Sequence, residues 1–301
     1  MANGKELILH IGTGKTGSSS IQATFSSIPQ FRGRFFYDMN GPNALEDIDA
    51  FIKRITSSLN ETDKIVYSNE WLFRTSEKTL TLVKNELSKY FENIKVCIYL
   101  RRQDLYAVSY YQQIGVSGDG PSTDGPKALP KVQGSWDCSY SSILERWENV
   151  FSRENIIIRV FEPEKLKGND VVIDFSHTVG FVIDKEEVKR TNESSGKIAT
   201  KIGHLLNLNG IDEKLIKKIT YNAPKSAKML PSRNEAIAFY NKYKEDNIEL
   251  NKRHSNFSSK EDIFSSDFSM YELESNQDWD DETATIALDY LIKILKNGLK
   301  N

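Results

Sequence analysis

The stretch that most narrows what this chain can be is residues 7–20, LILHIGTGKTGSSS, close to the N-terminus. Its apolar first part, residues 7–11, reads as a buried strand. It runs into Gly12-Thr13-Gly14-Lys15-Thr16-Gly17, and Ser18-Ser19-Ser20 then opens a helix. Glycines let the backbone turn so that several N–H groups converge, and the helix start adds its positive dipole end. With Lys15 and a run of hydroxyls, this strand–loop–helix is a cradle for a phosphate-like anion.

The downstream pattern says what kind of domain carries the cradle. Strand-like runs at residues 34–37, 64–68, 95–100 and 156–161 alternate with helical ones. In residues 44–59, Leu45, Ile48, Phe51, Ile52, Ile55 and Leu59 share one helical face. Further helices are expected near residues 80–90, 105–113, 140–150 and 169–179. This alternation predicts an α/β fold, three-layered, with a mostly parallel central sheet between helices. Such sheets collect ligands at the carboxyl ends of their strands. The loop at 12–17, the Ser68-Asn69-Glu70 segment and Arg101-Arg102 are all predicted to lie at such ends.

The 301 residues are read as one domain with its core in residues 6–181. Residues 115–137, rich in Gly, Ser and Pro, are expected to be a flexible loop on the substrate side. Residues 182–301 are expected to be mostly helical, with a capping box at Ser232 and Glu235. Residues 252–282 read as a polar, patternless excursion, and Ile286, Tyr290, Leu291, Ile294 and Leu295 line a final amphipathic helix.

A formal net charge of −2 argues against a general nucleic-acid binder. Two cysteines, Cys97 and Cys138, make no disulfide framework and no zinc pattern, so no metal is expected. Cys97, inside an apolar run, reads as a buried structural thiol. No leader-like segment precedes the first strand and no apolar run approaches the ~18 residues of a membrane span. The expectation is a cytoplasmic protein.

Taken alone, the loop fits three enzyme classes. Gly12, Gly14 and Gly17 satisfy the dinucleotide pattern G-x-G-x-x-G, with Asp38 after a second strand where a ribose-binding acid belongs. Gly14-Lys15-Thr16 is the end of a Walker A loop, but Leu9 stands where that motif needs its first glycine. No later strand ends in a hydrophobic-then-Asp element to hold magnesium.

The segment also resembles the phosphosulfate-binding loop of sulfotransferases that use 3′-phosphoadenosine 5′-phosphosulfate (PAPS). Lys15-Thr16-Gly17-Ser18-Ser19 matches that loop's core, and Gly14 stands where the family often has proline. The His-Ile-Gly lead-in and Ser-Ile-Gln ending are similar to bacterial and glycan-type members. The family's second signature is a strand ending in arginine with a serine eight positions later; Arg101 and Ser109 have that spacing. The segment around Asp174-Phe175 and Gly180-Phe181 is similar to the family's second half in type and order. The dinucleotide reading has no use for Lys15 or for Arg101 and Ser109, the kinase reading lacks its metal-binding acid, and a non-catalytic nucleotide- or anion-binding protein is the remaining alternative.

The resemblance implies that Gly14, Lys15, Thr16, Gly17, Ser18 and Ser19 hold the 5′-phosphosulfate of PAPS, with Arg101 and Ser109 on the 3′-phosphate. Lys15 would stabilise charge on the bridging oxygen, and the product would be 3′-phosphoadenosine 5′-phosphate (PAP). Glu70 is the first candidate for the base and His10 the second. Arg190, Asn192 and Ser194 are a looser match to a late 3′-phosphate contact. His177 and His204 read as structural. The acceptor is expected to be a small molecule, a glycan or a lipid head group. Tyr67, Trp71, Phe73, Tyr106, Tyr110 and Trp136 are the aromatics available to stack on it.

Overall fold

In a computed structural model, residues 4–38, 41–59, 62–118, 125–130, 138–191, 195–254 and 262–298 are described. In chain order the elements are β1 (Glu6–His10), α1 (Ser18–Ser27), β2 (Phe35–Tyr37), α2 (Ile48–Thr56), β3 (Lys64–Ser68), α3 (Glu77–Leu87), β4 (Asn93–Leu100) and α4 (Gln103–Ser117). They continue with α5 (Tyr140–Phe151), β5 (Ile156–Val160), α6 (Val171–Val179), α7 (Lys197–Leu208), α8 (Glu213–Thr220), α9 (Arg233–Asn241), α10 (Lys244–Arg253) and α11 (Asp281–Gly298).

The chain divides into two compact units. The first comprises Met1–Arg102, Trp136–Asn192 and Lys244–Phe264, and holds the sheet. Its strands are all parallel, in the order β2-β3-β1-β4-β5. Connections from β1 lead to one side of the sheet while β4 and β5 lie on the other, so the order reverses beside β1. A crevice therefore opens at the carboxyl ends of β1, β3 and β4.

Strands buried on both faces read as near-continuous apolar runs, and these do. Ile8, Val66, Cys97 and Tyr99 face α1 and α6, packing with Ile21, Phe25, Val172, Phe175 and Val179. On the alternate positions Tyr67 meets Phe51 of α2 edge to face, with ring centres 5.0 Å apart. The α/β class with helices flanking a parallel sheet is as the alternation predicted. Cys97 is fully buried, and Cys138 is buried too.

The second unit comprises Gln103–Ser135, Glu193–Tyr243 and Ser265–Asn301 and is helical among its described residues. Two expectations change here. The helix expected over 105–113 runs to Ser117, and Val116 and Ser117 are buried, so the start of the presumed loop is helix core. Residues 119–124 and 131–137, which include Trp136, lie outside the described residues. The excursion after α10 is also better packed than its polarity suggested. Tyr271 is fully buried and donates to Asp104 at 2.6 Å, and in the first unit Ile263 and Phe264 are buried. A few apolar anchors in a polar segment have no period for a sequence pattern to detect. The capping box at Ser232 and Glu235 is present. Among the described residues no helix is long and apolar enough to cross a membrane.

Candidate functional site

The loop after β1 is tied to β4 beyond the strand proper. Thr13 N donates to Tyr99 O at 2.9 Å, Tyr99 N donates to Gly12 O at 2.7 Å, and the Thr13 hydroxyl reaches Tyr99 O at 3.1 Å. The loop then turns through Lys15, a non-glycine residue at φ 64°, and Gly17 at φ 82°. Local backbone strain of this kind is tolerated where the surroundings over-determine it, often at functional sites. A Cβ on Gly17 would lie 2.6 Å from Val171 Cγ1, so only glycine fits.

Gly17 occupies the N-cap position of α1 and supplies no side-chain cap, and no acidic residue stands in the first turn. The amide end of α1 thus keeps its affinity for an anion. Arg101, at the end of β4, braces the loop: its Nη1 donates to Lys15 O at 2.7 Å, and its guanidinium lies 5.5 Å from the Phe161 ring centre. Tyr140 holds the Arg101 carbonyl with a 2.6 Å hydrogen bond.

Glu70 is brought to the same loop by a turn at the end of β3. Trp71 N donates to Asn69 Oδ1 at 2.9 Å and Leu72 N to Asn69 O at 3.2 Å, an Asx-type reversal. The reversal lays Glu70 on Gly12, whose absent Cβ would be 3.0–3.2 Å from Glu70 atoms. From the Cβ position of Gly14 the Glu70 carboxyl carbon is 4.0 Å away. Burial pushes the Glu70 carboxyl above the usual glutamate range, against the opposing pull of Lys15, the Ser18 hydroxyl and Arg74.

The predicted hydroxyls divide. Thr16 is fully buried and donates to Thr13 O at 2.6 Å, which closes the loop on itself. Ser18 is buried, and its hydroxyl donates to Thr13 O at 3.5 Å. Ser19 is exposed. His10 lies deeper: it is fully buried, its Nδ1 is 2.8 Å from Ser68 Oγ, and its ring centre is 4.9 Å from that of Phe175. Burial lowers its pKa to about 3, so it is a neutral core imidazole away from the crevice mouth.

One neighbour of the loop carries only the looser match noted for Arg190. Thr191 N donates to Ser20 Oγ at 3.1 Å, and Lys189 N donates to Thr24 Oγ1 at 2.9 Å. The segment 189–191 therefore runs along α1 toward its N-terminus. Arg190 is exposed and paired with Asp170 at 3.1 Å; Asn192 and Ser194 lie outside the described residues. Within the second unit Ser109 is half-buried on α4, Tyr106 and Tyr110 stack at 5.8 Å, and His204 is buried against Tyr111 at 4.3 Å. Tyr67 and Phe73 are core residues, whereas Trp71 is partly exposed with the Arg74 guanidinium 4.7 Å above its ring. His177 is an exposed residue of α6.

No family model matches the chain. An uncharacterized protein of Archaeoglobus fulgidus is 31% identical over 142 residues, a match covering 44% of this chain and 37% of that protein. Among solved structures, a sulfotransferase from Alicyclobacillus acidocaldarius is 15% identical with a TM-score of 0.42, covering 70% of this chain and 98% of its own. Mouse sulfotransferase SULT7A1, complexed with PAP, is 12% identical with a TM-score of 0.36, covering 85% and 86%. The sulfotransferase domain from the curacin biosynthetic pathway is 11% identical with a TM-score of 0.34, covering 79% and 96%.

Proposed function

We propose that this protein is a PAPS-dependent sulfotransferase acting on a hydroxyl or amine of a small-molecule, glycan or lipid acceptor in the cytoplasm. The observation that carries the reading is Glu70, a carboxyl laid on a glycine-rich anion loop beside Lys15. A nucleotide-binding module needs the cradle but has no use for a carboxylate against it. A transferase needs both an anion clamp and a base.

The cradle suits the donor's phosphosulfate end: an amide terminus without a cap or acid, a lysine, and a loop stiffened by Thr16 and Arg101. PAPS supplies the sulfuryl group that passes in line to the acceptor. Lys15 and the amides of residues 14–19 stabilise the charge that develops on the departing 5′-phosphate; such donors are each worth ~10²–10³ in rate. Glu70 takes the acceptor proton, a role worth ~10²–10⁴. Its raised pKa brings it nearer the working pH of a base. Arg101 is assigned to the 3′-phosphate, and its hold on Lys15 O gives it a second, structural duty. Ser109 is assigned to the same phosphate by the sequence motif alone.

Thermal melting tests the reading. PAP is expected to raise the Tm of the full chain, whereas ATP and NAD leave it unchanged. Stabilisation by ATP or NAD without an effect of PAP would overturn it, and a requirement for magnesium would move the assignment to a kinase.

A further inference from the structure

Helix α5 starts without a cap of its own, because Ser139 at its N-cap position makes no side-chain bond to the first turn. The first amides of a helix have no partner within it. Here an acceptor comes from α10, 105 residues further along the chain: Asp246 Oδ2 takes the Ser141 N–H at 3.0 Å. Arg253, two turns on along the same face of α10, closes the other side of that residue, its Nη2 donating to Ser141 O at 2.7 Å. His254 Nε2 and Arg253 Nη2 lie 2.8 and 3.3 Å from Glu148 Oε1 of α5, and Leu250 between the two ends of α10 is fully buried. The two helices are thus fixed to each other at both ends of α10.

The residue beside this clamp is Tyr140, the first of α5. It is 1% exposed, its ring centre is 6.2 Å from that of Phe264, and its hydroxyl donates to Arg101 O at 2.6 Å. Strands β4 and β5 pair as far as Leu100 and Val160, and Phe161 N donates to Leu100 O at 2.7 Å. Arg101 is one step past that ladder. The sheet therefore fixes the peptide plane before its Cα, and Tyr140 fixes the plane after it. Together they aim the side chain, whose Nη1 donates to Lys15 O at 2.7 Å. Phenylalanine would fill the place of Tyr140 with no polar group to satisfy, so the use of the hydroxyl lies in what it holds.

We propose that Tyr140 is a positioning residue for Arg101, and that α10 is the brace that keeps Tyr140 in place. Every link is a hydrogen bond within the sheet-bearing unit: Asp246 and Arg253 on Ser141, Tyr140 on Arg101, and Arg101 on Lys15. The effect on nucleotide binding rests on the reading of Arg101 as the 3′-phosphate arginine. The hold of Arg101 on the Lys15 carbonyl stands apart from that reading. A helix that carries no binding motif thereby acquires a part in shaping the anion loop.

The first test needs no nucleotide. Nitrogen-15 NMR of the arginine side chains follows Arg101 in the full chain, with Arg101→Lys identifying its signal. The bond to Lys15 O should slow rotation of the guanidinium about Nε–Cζ. Tyr140→Phe and Asp246→Ala are each expected to speed that rotation about threefold or more. Asp246→Asn, which keeps an oxygen for Ser141 N, should retain the slow rotation. The second test is affinity for PAP. Tyr140→Phe should weaken it about tenfold, and that loss should vanish in an Arg101→Ala background, because the hydroxyl acts through Arg101. Unchanged Arg101 rotation in folded Tyr140→Phe or folded Asp246→Ala overturns the proposal; should one of them fail to fold, the other decides. A Tyr140→Phe loss that persists in full beside Arg101→Ala overturns it as well. Absence of PAP binding by the unaltered protein would overturn the functional reading alone, since the rotation is read without nucleotide.

Discussion

Helices α1 and α6 begin side by side, Gly17 against Val171, yet their first turns are built in opposite ways. At α6, Asp170 accepts from Val172 N at 2.8 Å and Ile173 N at 3.3 Å, and Asp174 adds a second acid in the first turn. At α1, Gly17 offers no side chain and no acid follows. Elsewhere in the sheet-bearing unit, α2 at Asp47 and α3 at Ser76 are closed like α6, and at α5, where Ser139 makes no cap bond, Ser141 N donates to Asp246 Oδ2 at 3.0 Å. An open terminus forgoes roughly 1 kcal/mol of capping. On the proposed reading, the difference marks the terminus whose amides face the donor's phosphosulfate.

Variants can break or sharpen that contrast. The largest effect is expected from Glu70→Gln, which should lower turnover by ~10²–10⁴ while raising the Tm at neutral pH. The sign follows from burial. Glu70 titrates higher in the folded than in the unfolded chain, so stability falls as pH rises through the window between the two values. Glutamine escapes that loss. In the unaltered protein, on the proposed reading, the same shift should place the acidic limb of the kcat profile above the ordinary glutamate value. A limb at that ordinary value, or a glutamine variant with near-full turnover, would remove Glu70 as the base.

Next comes Lys15→Ala, expected to cost ~10²–10³ in kcat with little change in Tm, read by turnover and melting on the same preparations. A Tm loss as large as the activity loss would make Lys15 a folding residue. Gly17→Ala should cost about 1–3 kcal/mol in urea unfolding, because its methyl meets Val171 and its φ is positive. The smallest effect is expected at the closed terminus: Asp170→Ala should lose about 1 kcal/mol and leave PAP binding intact. If Asp170→Ala abolished PAP binding, the division between a reserved and a structural terminus would fail.

Much of this arrangement was legible in the residues. Glycines at 12, 14 and 17 between an apolar run and a serine run have few other uses, and strand–helix alternation places their loop at a carboxyl edge. Glu70 and Arg101 were legible as strand-end residues for the same reason. What could not be read was the direction of side chains. His10 ends a strand next to the loop, which made it a candidate base, but its alternation parity turns it under α1 and onto Phe175. Thr16 and Ser18 carry hydroxyls in a loop of this kind, yet both turn back onto the Thr13 carbonyl.

The sequence by itself determined the α/β alternation, the glycine-rich loop and its lysine, and the strand ends from which a site could be drawn. Those are local matters of period, backbone freedom and charge. Only the tertiary structure decided that Glu70 lies on Gly12, that Arg101 grips the Lys15 carbonyl, and that Gln22 reaches His10 through Ser68. These contacts join residues up to 86 positions apart. They exist because parallel pairing sets the ends of β1, β3 and β4 side by side, a register that no single segment encodes.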